Sequence, residues 1–181
     1  MRIATFFSAL LIATVCVAAD RAPLTTTVII VRHAEKTGAG DDAPLSARGT
    51  QRAKELARVL ADAGVEKIYV VQGVPRTAQT AEPLAAALRI KPTPTPNLDT
   101  RPLVADIRAA ARGKTVLVIS RTNMIPRLLE QLGVQGAPMI PEDQYDDLFV
   151  CTIPDGAEQA HLLRLRYGEP AHPADQKKAM K

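Results

Sequence analysis

The sequence predicts an α/β protein, a three-layer α/β/α sandwich with a mostly parallel central sheet. Three observations predict it. Strand-like and helix-like segments alternate along most of the chain. The early strands are continuous β-branched runs, the pattern of strands covered by helices on both faces. The segments between them repeat apolar residues at helical spacing and carry capping and terminating residues at their ends.

The first strand is Thr25–Val31 (TTTVIIV). Ser46–Ala63 follows as a helix: Ser46 is its N-cap, Ala53, Leu56, Leu60 and Ala63 share a face, and Gly64 closes it. Lys67–Val71 (KIYVV) is a second strand, and Arg76–Leu88 a helix in which Pro83 removes one donor and is expected to introduce a kink. Pro92-Thr93-Pro94-Thr95-Pro96 reads as a stiff extended connection. Pro102–Ala111 is a short helix with proline in its first turn and Gly113 beyond its end. Thr115–Ile119 (TVLVI) is a third buried strand, and Met124–Leu132 a helix closed by Gly133. Leu148–Ile153 and Ala160–Arg166 form a late hairpin around Pro154-Asp155-Gly156, candidates for antiparallel edge strands.

Composition narrows the function. The chain has 181 residues, 46% of them hydrophobic, enough for one globular domain and too apolar for a disordered one. Tryptophan is absent and 3% of residues are aromatic, which leaves few platforms for stacking on bases. A net charge of +4, evenly spread, does not point to nucleic acid. Two cysteines and three histidines supply no zinc-type spacing, and no carboxylate cluster suggests a metal or other cofactor.

The chain opens with the anatomy of a secretion signal. Arg2 precedes an uncharged apolar run from Ile3 to Ala19, and Val17-Ala18-Ala19 supplies small residues before Asp20. Cleavage after Ala19 is expected, with an uncleaved anchor as the alternative. Val15 before Cys16 argues against a lipid anchor. The expected layout is a signal peptide at 1–19, one domain at 20–168 and a polar, frayed tail at 169–181. The mature protein would be periplasmic or secreted, with no membrane partner. Cleavage removes Cys16. Cys151, in the apolar run Leu148-Phe149-Val150-Cys151, reads as a buried inert thiol.

In open α/β sheets ligands bind beyond the carboxyl ends of the strands. The first strand is followed by Arg32-His33-Ala34-Glu35-Lys36, the second within a turn by Pro75-Arg76-Thr77, and the third by Ser120-Arg121-Thr122-Asn123. Three strand ends thus each deliver an arginine, one of them a histidine as well, and the last opens a helix whose free N–H groups favour an anion. Arginine matches phosphate oxygens in planar, bidentate fashion. A histidine among arginines is placed to attack phosphorus and carry the phosphoryl group.

These residues resemble a known family. Val31-Arg32-His33-Ala34-Glu35-Lys36 is similar to the Arg-His-Gly/Ala signature of the histidine phosphatase (phosphoglycerate mutase-like) superfamily. The resemblance continues through Pro44-Leu45-Ser46-Ala47-Arg48-Gly49, Arg76-Thr77-Ala78-Gln79-Thr80-Ala81, Tyr145-Asp146-Asp147-Leu148-Phe149-Val150 and Arg164-Leu165-Arg166-Tyr167-Gly168. It implies the same sandwich, of the compact phosphatase type. It also implies His33 as the nucleophile that becomes phosphohistidine, with Arg32 and Arg76 clamping the phosphate. Arg121 and Asn123, after the third strand, are expected to help bind it.

One position departs. The family has Gly-His-Ser/Thr-Asn where this chain has Ser120-Arg121-Thr122-Asn123, so Arg121 replaces the second core histidine. Arginine keeps a donor for phosphate, but it binds ground state and product as well as transition state, which does not raise turnover. Its charge is also expected to favour neutral His33. The general acid is unassigned: Asp99 and Glu35 are weak candidates, more simply read as solvated surface groups. His161 and His172 are expected to lie outside the site.

Three functions compete on the sequence. One is a secreted phosphatase acting on a phosphorylated small molecule, such as an envelope sugar, and slowed by Arg121. Another is a phosphate-binding pseudoenzyme, and the third is an interaction module on a reused fold.

Overall fold

A computed structural model describes residues 24–40 and 42–171. The expected signal peptide, Cys16 and His172 lie outside the described residues. Among the described residues no helix is long and apolar enough to cross a membrane.

The elements run β1 (Thr25–Arg32), α1 (Ala47–Leu60), β2 (Val65–Val71), α2 (Pro75–Leu88), β3 (Thr93–Thr95), α3 (Arg101–Ala110), β4 (Thr115–Ser120), α4 (Ile125–Gln131), β5 (Asp147–Pro154) and β6 (His161–Arg166). Six strands form one sheet in the order β3-β2-β4-β1-β5-β6. β1 pairs parallel with β4, and β2 parallel with β4 and β3. β5 runs antiparallel to β1, and β6 antiparallel to β5. The predicted α/β sandwich is observed, and the late hairpin supplies the antiparallel part.

Pleat explains the layers, because successive side chains point to opposite faces. Val28 and Ile30 of β1 pack with Val116, Val118 and Phe149 against Leu103 and Ile107 of α3 and Ile125, Leu128 and Leu129 of α4. Ile29 and Val31 pack with Ile68, Leu117 and Ile119 against Leu56 and Leu60 of α1 and Ala81 and Leu84 of α2. Cys151 is fully buried in the first of these cores, and burial pushes its thiol up to about 11, which keeps it protonated and inert.

Several boundaries differ from the sequence reading. α1 ends at Leu60 rather than Ala63, and Gly64 takes its positive φ of 67° in the turn beyond it. α2 runs unbroken through Pro83. The proline-rich connection is a short edge strand, β3, because Thr93–Thr95 adopts the extended backbone that pairs with β2.

The loop after β1 is fastened to the start of α1. The Ser46 side chain caps α1 by accepting from Gly49 N–H at 3.1 Å, and Ser46 N–H donates to Glu35 C=O at 2.9 Å. Gly49 allows this approach: a Cβ there would lie 2.1 Å from the Glu35 carbonyl oxygen. Gly49→Ala should therefore destabilise the fold by about 2–3 kcal/mol, the cost of overpacking against backbone. Its urea midpoint would show this, and an unchanged midpoint would mean the loop gives way freely.

Candidate active site

β1 and β4 end side by side, Arg32 opposite Ser120, and His33 N–H donates to Ser120 C=O at 2.9 Å. This pairing brings His33 and Arg121 to one end of the sheet, and β2, on the other side of β4, leads into α2 and Arg76 at that end. Main-chain geometry therefore sets the residues at the carboxyl ends of the central strands.

His33 is 3% exposed. Its Nδ1 lies 2.8 Å from Ala34 C=O, which can only accept, and its Nε2 lies 2.9 Å from Arg76 Nε, which can only donate. The two partners select the Nδ1–H tautomer and leave the Nε2 lone pair toward Arg76. Burial, partly opposed by the Ala34 hydrogen bond and reinforced by the charges of Arg76, Arg32 and Lys36, pushes the ring down to about 3. The imidazole is thus neutral at physiological pH, the form a nucleophile requires. Burial comes first among the causes, ahead of the charges of the flanking cations.

Arg76 sits in the first turn of α2, 2% exposed. The Thr77 hydroxyl holds that turn by accepting from Val71 N–H at 3.1 Å and donating to Val74 C=O at 2.8 Å.

Arg32, 3% exposed, is engaged by a loop more than 100 residues away. Its Nη1 donates to Glu142 C=O and to Gln144 C=O at 3.1 Å. Its Nη2 donates to Glu142 Oε2 at 3.2 Å and to Tyr145 Oη at 3.3 Å. The guanidinium stacks 3.9 Å above the Tyr145 ring. Its Nε is buried with no acceptor, an unmet donor at the edge of the site.

Arg121 is half-buried one residue past β4, and its Nη1 donates to Asn97 Oδ1 at 3.1 Å. Asn123 is exposed in the turn before α4. At that helix start the N–H groups of Met124 and Ile125 both donate to Arg121 C=O, at 3.0 and 3.2 Å, so these two are not free for an anion. The α4 helix is also only seven residues long.

Neither weak acid candidate is placed to donate a proton. Arg52 grips Glu35 with Nε at 3.0 Å and Nη2 at 2.9 Å, and Arg48 adds a contact at 3.2 Å. The Arg101 side chain and backbone N–H hold Asp99 down to about 2, so it carries no proton at neutral pH. Among the described residues no group of three His, Cys, Asp or Glu side chains is placed to hold a metal. His161 is exposed on β6, paired opposite Thr152, away from the strand ends that carry His33. A cavity of about 610 Å³ lined by Arg48, Arg52 and Glu169 does not include His33, Arg32 or Arg76.

Sequence reading missed Glu142, Gln144 and Tyr145 as partners of Arg32, Asn97 as the partner of Arg121, and Thr80. Tyr145 and Thr80 lie in segments that carry the family resemblance, but neither carries a recognisable role. Carbonyl acceptors have no sequence signature at all.

Two outcomes follow from this geometry. The folded ring refuses a proton until about pH 3, whereas an unfolded histidine takes one up near 6.5. Stability should therefore fall as pH drops from 6.5 toward 3, with this group costing up to ~1.4 kcal/mol per pH unit and nothing above 6.5. Urea unfolding of His33→Gln should show a flatter acid limb; parallel limbs would mean that the fold does not hold the ring neutral. Glu142, whose side chain is 85% exposed, sets a carboxylate on Arg32. Glu142→Gln should tighten inorganic phosphate binding roughly 5-fold, about 1 kcal/mol, by removing a competing anion. Unchanged affinity in calorimetry would show that Glu142 does not compete.

Comparison with known proteins agrees with this arrangement. No curated protein matches the chain in sequence. A protein histidine phosphatase, SixA, solved with tungstate, superposes with a TM-score of 0.63 at 22% identity, covering 77% of this chain and 96% of that one. A mycobacterial glucosyl-3-phosphoglycerate phosphatase gives 0.64 at 14% identity, covering 80% and 100%. Phosphoglycerate mutase from Plasmodium falciparum gives 0.55 at 19% identity, covering 81% and 94%. At these identities the likenesses establish the phosphoglycerate mutase-like fold. Residues 28–101, which carry Arg32, His33 and Arg76, match the family model of the histidine phosphatase superfamily (branch 1).

Proposed function

We propose that the chain is an exported phosphatase that hydrolyses a phosphomonoester through a phosphohistidine at His33. The observation that carries this reading is a buried, neutral imidazole whose Nε2 is set 2.9 Å from the Arg76 guanidinium. The unmet Arg32 Nε–H supports an anion beside it. The segment 1–19 supports export, to the periplasm or beyond. The neighbours named as phosphatases support a phosphorylated substrate.

In the proposed reaction Arg76 Nε shifts from His33 Nε2 to a phosphoryl oxygen and frees the lone pair. Nε2 then forms a bond to phosphorus as the bond to the leaving oxygen breaks. The arginines bear the charge of the transferring group. The leaving oxygen takes its proton from water, since Asp99 is deprotonated and Glu35 is engaged by Arg52 and Arg48. A second water attacks the phosphohistidine, the N–P bond breaks, the proton this water gives up neutralises the hydroxide left by the first, and inorganic phosphate departs from a neutral ring. Without a placed acid, esters of acidic alcohols should react faster than alkyl esters.

A second reading is a phosphate-binding protein impaired in turnover. It is favoured by the Arg32 Nη groups, already engaged by loop acceptors, and by Arg121 at the position of the family's second histidine.

An assay of the mature chain with an aryl phosphate separates the two. The phosphatase reading expects activity that falls by roughly 10³-fold or more in His33→Ala. An inactive wild type whose Arg121→His variant gains activity establishes the second reading. Absence of both activity and phosphate binding would rule out both.

A further inference from the structure

Four hydrogen bonds close a ring through the site. His33 Nδ1–H donates to Ala34 C=O at 2.8 Å. Ala34 N–H donates to Thr80 Oγ1 at 2.9 Å. The Thr80 hydroxyl donates to Arg76 C=O at 2.7 Å. Arg76 Nε–H donates back to His33 Nε2 at 2.9 Å. Every other link in this ring is backbone or one of the two charged-site side chains. Thr80 is the member with no chemical role in phosphoryl transfer.

We propose that Thr80 is a positioning residue that sets the His33 ring and Arg76 in one geometry by joining the Ala34 peptide to the first turn of α2. The proposal deepens the phosphatase reading and rests on it for its kinetic consequence alone. A threonine in a helix interior often returns its hydroxyl proton to the carbonyl four residues back, and that bond by itself is local. Here the same oxygen also accepts an N–H from 46 residues earlier in the chain. Ala34 and Thr80 are both 0% exposed, so no solvent stands ready to replace that acceptor.

The Ala34 backbone is the point of leverage. Its N–H, in the peptide from His33, is held by Thr80, and its C=O, in the next peptide, holds His33 Nδ1. Loss of the Thr80 acceptor leaves a buried donor unmet, and the His33–Ala34 peptide relieves this by turning. The Ala34 dihedrals change as it turns, which shifts the next peptide, moves its carbonyl off the ring and releases the Nδ1–H. The ring then loses its fixed tautomer, and Nε2 spends part of its time protonated and unable to attack.

The test compares Thr80→Val, which removes the hydroxyl at nearly constant shape, with Thr80→Ser, which retains it, in the full chain. The ¹⁵N shifts of the His33 ring, assigned with His33→Gln, are followed from pH 5 to 8. Wild type and Thr80→Ser should show a single Nδ1–H tautomer that does not titrate in this range. Thr80→Val should show mixed tautomers and a titration entering the range. With an aryl phosphate, kcat should fall roughly 10- to 100-fold in Thr80→Val, with KM changed less than about 3-fold, and recover in Thr80→Ser. Thr80→Cys, a weaker acceptor of similar size, carries the ring measurement if the valine variant does not fold. A wild-type ring in Thr80→Val, or in Thr80→Cys where only that variant folds, overturns the proposal. A wild type without turnover would overturn the phosphatase reading alone, since the ring measurement needs no turnover.

Discussion

β1 takes parallel hydrogen bonds from β4 on one side and antiparallel ones from β5 on the other, and its register with β4 governs the site. Arg32 opposite Ser120, extended by His33 N–H on Ser120 C=O, makes the two strands end together. The residues that follow them, His33 and Arg121, then leave the sheet at one level. A slip of one residue would turn Val28 and Ile30 away from α3 and α4 and send Ile29 and Val31 into the wrong layer. The hydrophobic pattern that builds both cores is therefore also what aims the imidazole.

Burying cations at that strand end imposes a second constraint, because each guanidinium N–H needs an acceptor. Arg32 finds its acceptors in the segment Glu142 to Tyr145, which ties the connection before β5 down over the site. Arg76 finds one in His33 Nε2 itself. The same bond that orients the ring also occupies the Nε2 lone pair, which only an anion able to draw Arg76 away would free. Burial and the flanking cations keep the ring neutral, and this separates the task of the arginines from that of the histidine. The arginines carry the charge, and the histidine presents an uncharged lone pair.

The loop after His33 is braced from its far side. Arg52, 3% exposed, joins the Glu35 carboxylate to the carbonyls of Tyr167 and Glu169, at 2.9 and 2.8 Å. The polar segment from Glu169, which composition alone marks as a fraying tail, thus begins with backbone anchored to α1, and Arg48 adds Pro170 C=O at 2.8 Å. Glu35, a weak acid candidate by sequence, is a structural brace. Its charge serves the fold because a buried arginine requires a partner.

The sequence by itself determined the layered α/β architecture and the end of the sheet to which His33, Arg32 and Arg76 are delivered. These rest on local patterns: β-branched runs, helical periodicity, and short motifs at strand ends. Pro92–Pro96 reads in sequence only as an extended connection, because proline-rich backbone is extended whether or not it pairs, and only the presence of β2 alongside makes Thr93–Thr95 a strand. Tertiary structure alone decided which acceptors the buried arginines use, that Asn97 holds Arg121, that Asp99 and Glu35 belong to ion pairs, and that Thr80 links Ala34 to Arg76. The physical reason is distance along the chain. A periodic pattern records what a residue does within its own turn or strand. A hydrogen bond between residues as much as 122 positions apart, often to a carbonyl that every residue carries, leaves no mark in the order of side chains.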